Sequence, residues 1–206
     1  KAKAYWEEML VKGSMIYEKQ MNVQLVLGQV KAATEGGPEW AVVGCDKGDV
    51  SSMFDTLNGE LKDAVGLPGP EAAAWYGWTN CGDDTGLMGR GYIRVLCGGS
   101  YGYSGGWNMA VGKWQAPTSW KTFAHELGHN FGATLSFAKG EGTTGGIMDY
   151  GDGKLNGHYQ FNTKYHKAEV CGHLKSITGC EHFKAGVYQH VPAPTTPPPG
   201  SGGKGK

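Results

Sequence analysis

The run Thr122-Phe-Ala-His-Glu-Leu-Gly-His-Asn-Phe-Gly132 limits this chain more than any other stretch of its sequence. His125 and His129 are four apart, a spacing that sets two imidazoles one above the other on one helix face and lets both present a nitrogen to one cation. They supply two corners of a tetrahedral zinc site. Glu126 lies beside that face, within reach of an attacking water, and is the candidate general base. Trp120, Phe123, Ala124, Leu127 and Phe131 recur at three- and four-residue steps, which predicts a helix with one apolar stripe. Thr118 or Ser119 can cap its start after Pro117, and Gly132 can end it in the left-handed conformation.

With Gly132 and the downstream Gly146-Ile147-Met148-Asp149-Tyr150, the run resembles the metzincin zinc endopeptidases, whose pattern is His-Glu-x-x-His-x-x-Gly-x-x-His followed by a methionine turn at Met148. The resemblance implies a zincin-like α+β fold, peptide-bond hydrolysis, and one zinc ion held by His125 and His129. It also calls for a third histidine where this chain has Leu135, a side chain with no lone pair to give. The plainer alternative is a core helix carrying two surface histidines above a buried Met148.

Upstream, Ile16 to Leu27 and Gly86 to Cys97 look most like the adamalysin (reprolysin) branch, and the resemblance covers roughly residues 5 to 180. It implies an edge strand above the cleft, so that Gly86, Leu87, Met88 and Gly89 are candidate substrate-binding residues. In that branch a cysteine after the last strand pairs with one near the final helix, which here means Cys97 with Cys171 or Cys180. Cys45 with Cys81 is a further candidate pair. The family opens with a buried strand, whereas this chain begins in a helical pattern. The first strand is therefore expected upstream of Lys1, and the chain is expected to be part of a longer one.

Leu135 raises the question of a stand-in ligand. Tyr150 follows Met148 by two, where astacin-like and serralysin-like metzincins place a tyrosine that approaches the metal, so His125, His129 and Tyr150 form one candidate set. A tyrosine stacked in the cleft wall is the other reading. Asp149 and Glu141 can bind zinc chemically, but the family gives Asp149 a structural role and Glu141 lies in a glycine-rich loop. Of His158, His166, His173, His182 and His190, His158 is nearest to the methionine turn in sequence, and loop histidines are usually solvated.

The 206 residues suffice for one domain, read as 1–190, with the Pro- and Gly-rich 191–206 as a linker or tail. A formal net charge of +0 without a long basic cluster argues against nucleic acid as a partner. No apolar run approaches the roughly 18 residues needed to span a bilayer. The first residues lack the apolar core of a signal peptide, so any targeting segment is expected to lie upstream or to have been removed. Five cysteines without a Cys-x-x-Cys pair favour disulfides and an extracellular or secretory compartment, with buried free thiols as the alternative.

The sequence pattern predicts helices over 5–20, 49–65 and from Asn162 to Leu174, and strands over 23–30, 72–79 and 92–96. These make a mixed sheet with two helices above it and a helical lower half. Asp83-Asp84 reads as a turn, because adjacent carboxylates lack the spaced oxygens of a calcium loop. Two functions follow from the resemblance: a secreted zinc endopeptidase weakened by Leu135, or a pseudopeptidase serving as a binding or structural module that meets a peptide or protein partner.

Overall fold

A computed structural model describes residues 2–28, 30, 50–63, 72–80, 86–98, 108–115, 117–136, 140–178 and 180. Helix α1 spans Ala2–Met21 and α2 spans Val50–Asp63. Strands β1 (Trp75–Thr79), β2 (Gly89–Gly91) and β3 (Met109–Lys113) precede helix α3 (Ser119–Asn130). A small hairpin, β4 (Lys154–Leu155) with β5 (His158–Tyr159), leads to α4 (Thr163–Ser176). The architecture is α+β with a mixed sheet, as the sequence pattern predicts.

The sheet order is β1-β3-β2, with β1 parallel and β2 antiparallel to the central β3. Period-two alternation along β3 divides its residues between two cores. Met109 and Val111 join Val50, Met53, Phe54 and Leu57 of α2 on one face. On the other face Tyr76 and Trp78 of β1 meet Phe123 of α3, and Gly112 leaves room for Thr122. Helix α1 lies against α3, where the buried Tyr17 hydroxyl donates to the Ala124 carbonyl at 2.8 Å. The two leading helices are thus divided between the two sides of the sheet rather than shared above it.

Tyr17, Phe123, Leu127, Phe131, Met148, Phe161 and Val170 form one buried cluster joining α1, α3, α4 and the turn at Met148. At about 25 cal/mol per Å² of apolar surface removed from water, this contact between segments far apart in sequence is the main force holding α3 in place.

Two expected strands differ, and one strand was not expected. Residues 22–28 alternate strictly between half-buried and exposed, yet they join no ladder among the described residues. Residues 92–96 form bends that lead into a short 3₁₀ turn at Leu96–Gly98 instead of a strand. Their amides are taken by the end of α3: Arg94 and Val95 N–H donate to the His129 and Asn130 carbonyls at 2.9 and 3.1 Å. The central strand is β3, which the pattern did not single out.

Cys97 is bonded to Cys180, with Cα atoms 5.7 Å apart. The alternative pairing with Cys171 is corrected: that cysteine is free and exposed on α4. Cys45, Cys81, Asp83, Asp84 and the tail 191–206 lie outside the described residues. No described helix is long and apolar enough to cross a membrane.

Candidate active site

Helix α3 forms because its stripe of Phe123, Ala124 and Leu127 is buried against the sheet and α1. Its N-cap is Thr118, which makes no side-chain cap bond; the Ser119 hydroxyl instead accepts from the Gln115 amide at 2.6 Å. At the other end Gly132 N–H donates to the His129 carbonyl at 2.8 Å and Ala133 N–H to the Gly128 carbonyl at 3.0 Å. Gly132 has φ +102°, a conformation that disfavours a β-carbon, and a β-carbon there would also stand 3.0 Å from that of His173.

The ring of His125 is fixed by Nδ1, which lies 2.7 Å from the Ile147 carbonyl, and that of His129 by Nδ1, 2.8 Å from the Ala133 carbonyl. A carbonyl only accepts, so each Nδ1 carries the proton and each Nε2 is left with a lone pair. The rings stand nearly perpendicular with centroids 5.0 Å apart. Ligand atoms of His125, Glu126 and His129 all lie within 4.8 Å of one another, a grouping that fits a small divalent cation.

Burial sets the charges. Desolvation, helped by the neighbouring His129, pushes the His125 imidazole down to about 4, and desolvation also lowers His129. Both are neutral near pH 7, the state in which an imidazole binds a metal. Burial raises the Glu126 carboxyl to about 8, the direction expected for a general base removed from water.

Below the helix, Met148 is fully buried and its sulfur fills the space beside Gly128, where a β-carbon would stand only 2.6 Å from Sδ. Met148 thus sets the height of the turn whose preceding carbonyl, on Ile147, orients His125. Asp149 secures this turn by accepting from the amides of Gly142, Thr144, Gly145 and Tyr150 and from the Thr144 hydroxyl, all at 2.7 to 2.8 Å. With its oxygens so engaged, Asp149 is structural. Glu141 is exposed. Tyr150 is 50% exposed, and its ring centroid is 6.4 Å from that of His125.

Above the helix lies the edge strand β2. Gly86, Leu87 and Met88 lead into it, and the Met88 carbonyl accepts from Lys113 N–H at 2.7 Å, which fixes this approach to β3. Gly89 sits directly over the Glu126 side chain and Gly91 over the Glu126 carbonyl, where a β-carbon would come within 2.7 Å of the oxygen. The candidate base and the candidate substrate-binding residues are therefore neighbours.

Leu135 is half-buried in the segment after Gly132. Next to it, Thr134 donates from its amide and hydroxyl to Glu169 at 3.0 and 2.7 Å, and Glu169 in turn receives His166 Nδ1 at 3.1 Å. His166 and His173 are buried on α4, each with an Nε2 that has no partner among the described residues. The sequence pattern named both only among the histidines expected to be solvated, and burial corrects that expectation. The available signal was a helix stripe, His166, Val170, His173 and Ile177, in which histidine twice occupies an apolar position. His158 is exposed on β5, and His182 and His190 lie outside the described residues.

A reprolysin-type family model, described as metallo-peptidase family M12, matches residues 1–144. A comparison with curated proteins finds no match.

Proposed function

Because the chain belongs to metallo-peptidase family M12, we propose that it is a zinc-dependent endopeptidase acting outside the cell, with turnover lowered by Leu135. The observation that carries this reading is the pair of imidazoles fixed through Nδ1, each with a free Nε2, grouped with Glu126. His125 and His129 would hold a zinc ion, which would supply Lewis acidity to the scissile carbonyl and to the attacking water.

The protein's own residues do the rest. Glu126, buried under β2, takes the proton of the attacking water and returns it to the leaving amine. An extended peptide adds along the sheet edge at Gly86, Leu87, Met88 and Gly89, where main-chain hydrogen bonds align its carbonyl above His125 and His129. Tyr150, half exposed with its ring centroid 6.4 Å from that of His125, is in this reading an additional ligand or a wall against the peptide. The Cys97–Cys180 bond supports an oxidising compartment.

A second reading rests on Leu135 itself. A catalytic zinc site uses three protein ligands and one open position, and with one ligand absent the cleft can serve as a peptide-binding module without turnover. Cleavage of an unstructured protein substrate separates the two. The endopeptidase reading expects chelator-sensitive cleavage, restored by zinc and abolished in Glu126→Gln. Peptide binding without any cleavage at saturating zinc would favour the module.

A further inference from the structure

Asn156 and Gly157 form the tip of the β4–β5 hairpin, with Leu155 paired to His158 directly beneath them. Asn156 has φ +53° and Gly157 φ +79°, the left-handed pair that a type I′ turn requires and that an Asn-Gly sequence supplies. Both residues are exposed, and a β-carbon built on Gly157 would meet nothing within 4 Å. We propose that this turn is a site of spontaneous modification, the deamidation of Asn156 to isoaspartate, and that the product unfastens the segment that orients His125.

The reaction needs only water. The Gly157 amide nitrogen attacks Cγ of Asn156, and the new N–Cγ bond closes a cyclic imide. The Cγ–Nδ2 bond breaks, and the side-chain nitrogen leaves as ammonia with the proton of the Gly157 amide. Water then opens the imide at one of its two carbonyls. Cleavage of the new N–Cγ bond gives aspartate on a normal backbone. Cleavage of the original peptide bond gives isoaspartate, in which the main chain runs through Cγ and is one carbon longer. Glycine puts no side chain in the way of the attacking nitrogen. The ladder beneath the turn is only two pairs long, so its tip opens locally without unfolding the rest.

The same dipeptide occurs once more, and the fold protects it. Asn58 is 6% exposed within α2, and its Nδ2 donates to the Tyr92 hydroxyl. The Gly59 amide, interior to that helix, is committed to the carbonyl one turn back. Two copies of one labile sequence thus stand in opposite environments.

The hairpin also holds the turn at Met148. Gly146 N–H donates to the Lys154 carbonyl at 3.0 Å, and Ile147 N–H to the Gln160 carbonyl at 2.9 Å. The backbones are in close contact, since a β-carbon on Gly146 would stand 2.8 Å from the Gln160 oxygen. The carbonyl of Ile147 in turn accepts from His125 Nδ1 at 2.7 Å. An extra main-chain carbon at position 156 shifts β4 against β5 and carries the Lys154 and Gln160 carbonyls apart. The consequence for the metal rests on the zinc-binding reading above, whereas the modification and the loosened turn do not.

The test compares fresh full-length chain with chain aged for weeks at neutral pH and body temperature. Peptide mapping with an isoaspartate-specific methyltransferase is expected to find modification at Asn156 more than about tenfold ahead of Asn58. In the modified fraction, amide hydrogen exchange at Gly146 and Ile147 is expected to quicken by more than about tenfold. Zinc affinity is expected to weaken by about 10- to 100-fold, the range for loss of an outer partner of a metal-ligating histidine. Asn156→Gly keeps a sequence that favours the turn and removes the carboxamide, so it should age without these changes. An intact Asn156, or equal modification at Asn58, overturns the site. Unchanged exchange at Gly146 and Ile147 in the modified chain, or unchanged affinity in a chain that binds zinc when fresh, overturns the link to His125. Modification with quickened exchange in a chain that binds no zinc even when fresh upholds the proposal and removes the zinc-binding reading alone.

Discussion

A β-carbon built on Gly89 would stand 2.5 Å from both Cγ and Oε1 of Glu126, so edge strand and catalytic-type carboxylate meet at van der Waals distance. This contact removes Glu126 from water and, through that burial, raises its carboxyl to about 8. Gly89→Ala must push the carboxylate aside. Peptide cleavage is expected to fall by about 100-fold, the scale of a 1 Å misplacement of a catalytic group. Zinc affinity, set by His125 and His129, is expected to stay close to wild type. Parallel measurement of kcat/KM and zinc binding checks this, and unchanged cleavage would contradict it.

The metal-free protein has a defined pH dependence of stability. Glu126 is raised from 4.5 to about 8, so between those values the folded state holds a proton that the unfolded state has released, and stability falls as pH rises. His125 is lowered from 6.5 to about 4, so between those values the unfolded state holds the extra proton and stability rises with pH. The two oppose one another up to pH 6.5, and His129, also lowered, adds to the rise. Above 6.5 only the Glu126 effect remains, a loss on the order of 2 kcal/mol by pH 8. Denaturant unfolding in chelator across this range is expected to show a maximum near pH 6.5. Glu126→Gln should remove the alkaline decline.

Asp149 carries the turn that positions Ile147 and Met148. Burial alone would raise its carboxyl, but the donors from Gly142, Thr144 and Gly145 hold it below the ordinary carboxylate range. Asp149→Ala strands these donors, of which the Thr144 amide and hydroxyl are buried, and is expected to cost about 3 kcal/mol or more. His125 loses its anchor with the turn. A lowered melting temperature and a weaker zinc affinity in the same variant are the expected pair of results; a stable variant with intact zinc binding would contradict this role.

The Cys97–Cys180 bond closes a sequence separation of 83 residues. In the chain-entropy model a loop of this size stabilises the fold by about 4.5 kcal/mol. Cys180→Ser is expected to lower the melting temperature strongly, whereas Cys171→Ser, at a free and exposed position, should change stability by less than about 0.5 kcal/mol. Thermal unfolding of both variants distinguishes the two cysteines.

Much of the site was legible in the sequence because its information is local. His125, Glu126 and His129 need only helical spacing to converge, Gly132 ends α3 where a residue without a β-carbon is required, and Asn162 caps α4 by accepting from the Lys164 amide. What escaped depends on contacts distant in sequence. Strand β3 shows no apolar-polar alternation because Met109 to Gly112 is buried on both faces, and Gly112 interrupts it. Tyr92 to Leu96 has the composition of a strand, but the last carbonyls of α3 take the Arg94 and Val95 amides, and Arg94 adopts φ +61°. His166 reads as an ordinary polar helix residue until the fold buries it beside Glu169 and Thr134.

The central claim is that His125 and His129 hold a metal despite Leu135. Equilibrium dialysis against buffered micromolar zinc, followed by elemental analysis, tests it most directly. The expected result is one zinc per wild-type chain and none in the His125→Ala, His129→Ala double variant. Absence of zinc from a folded wild type, or equal zinc in the double variant, would contradict the account.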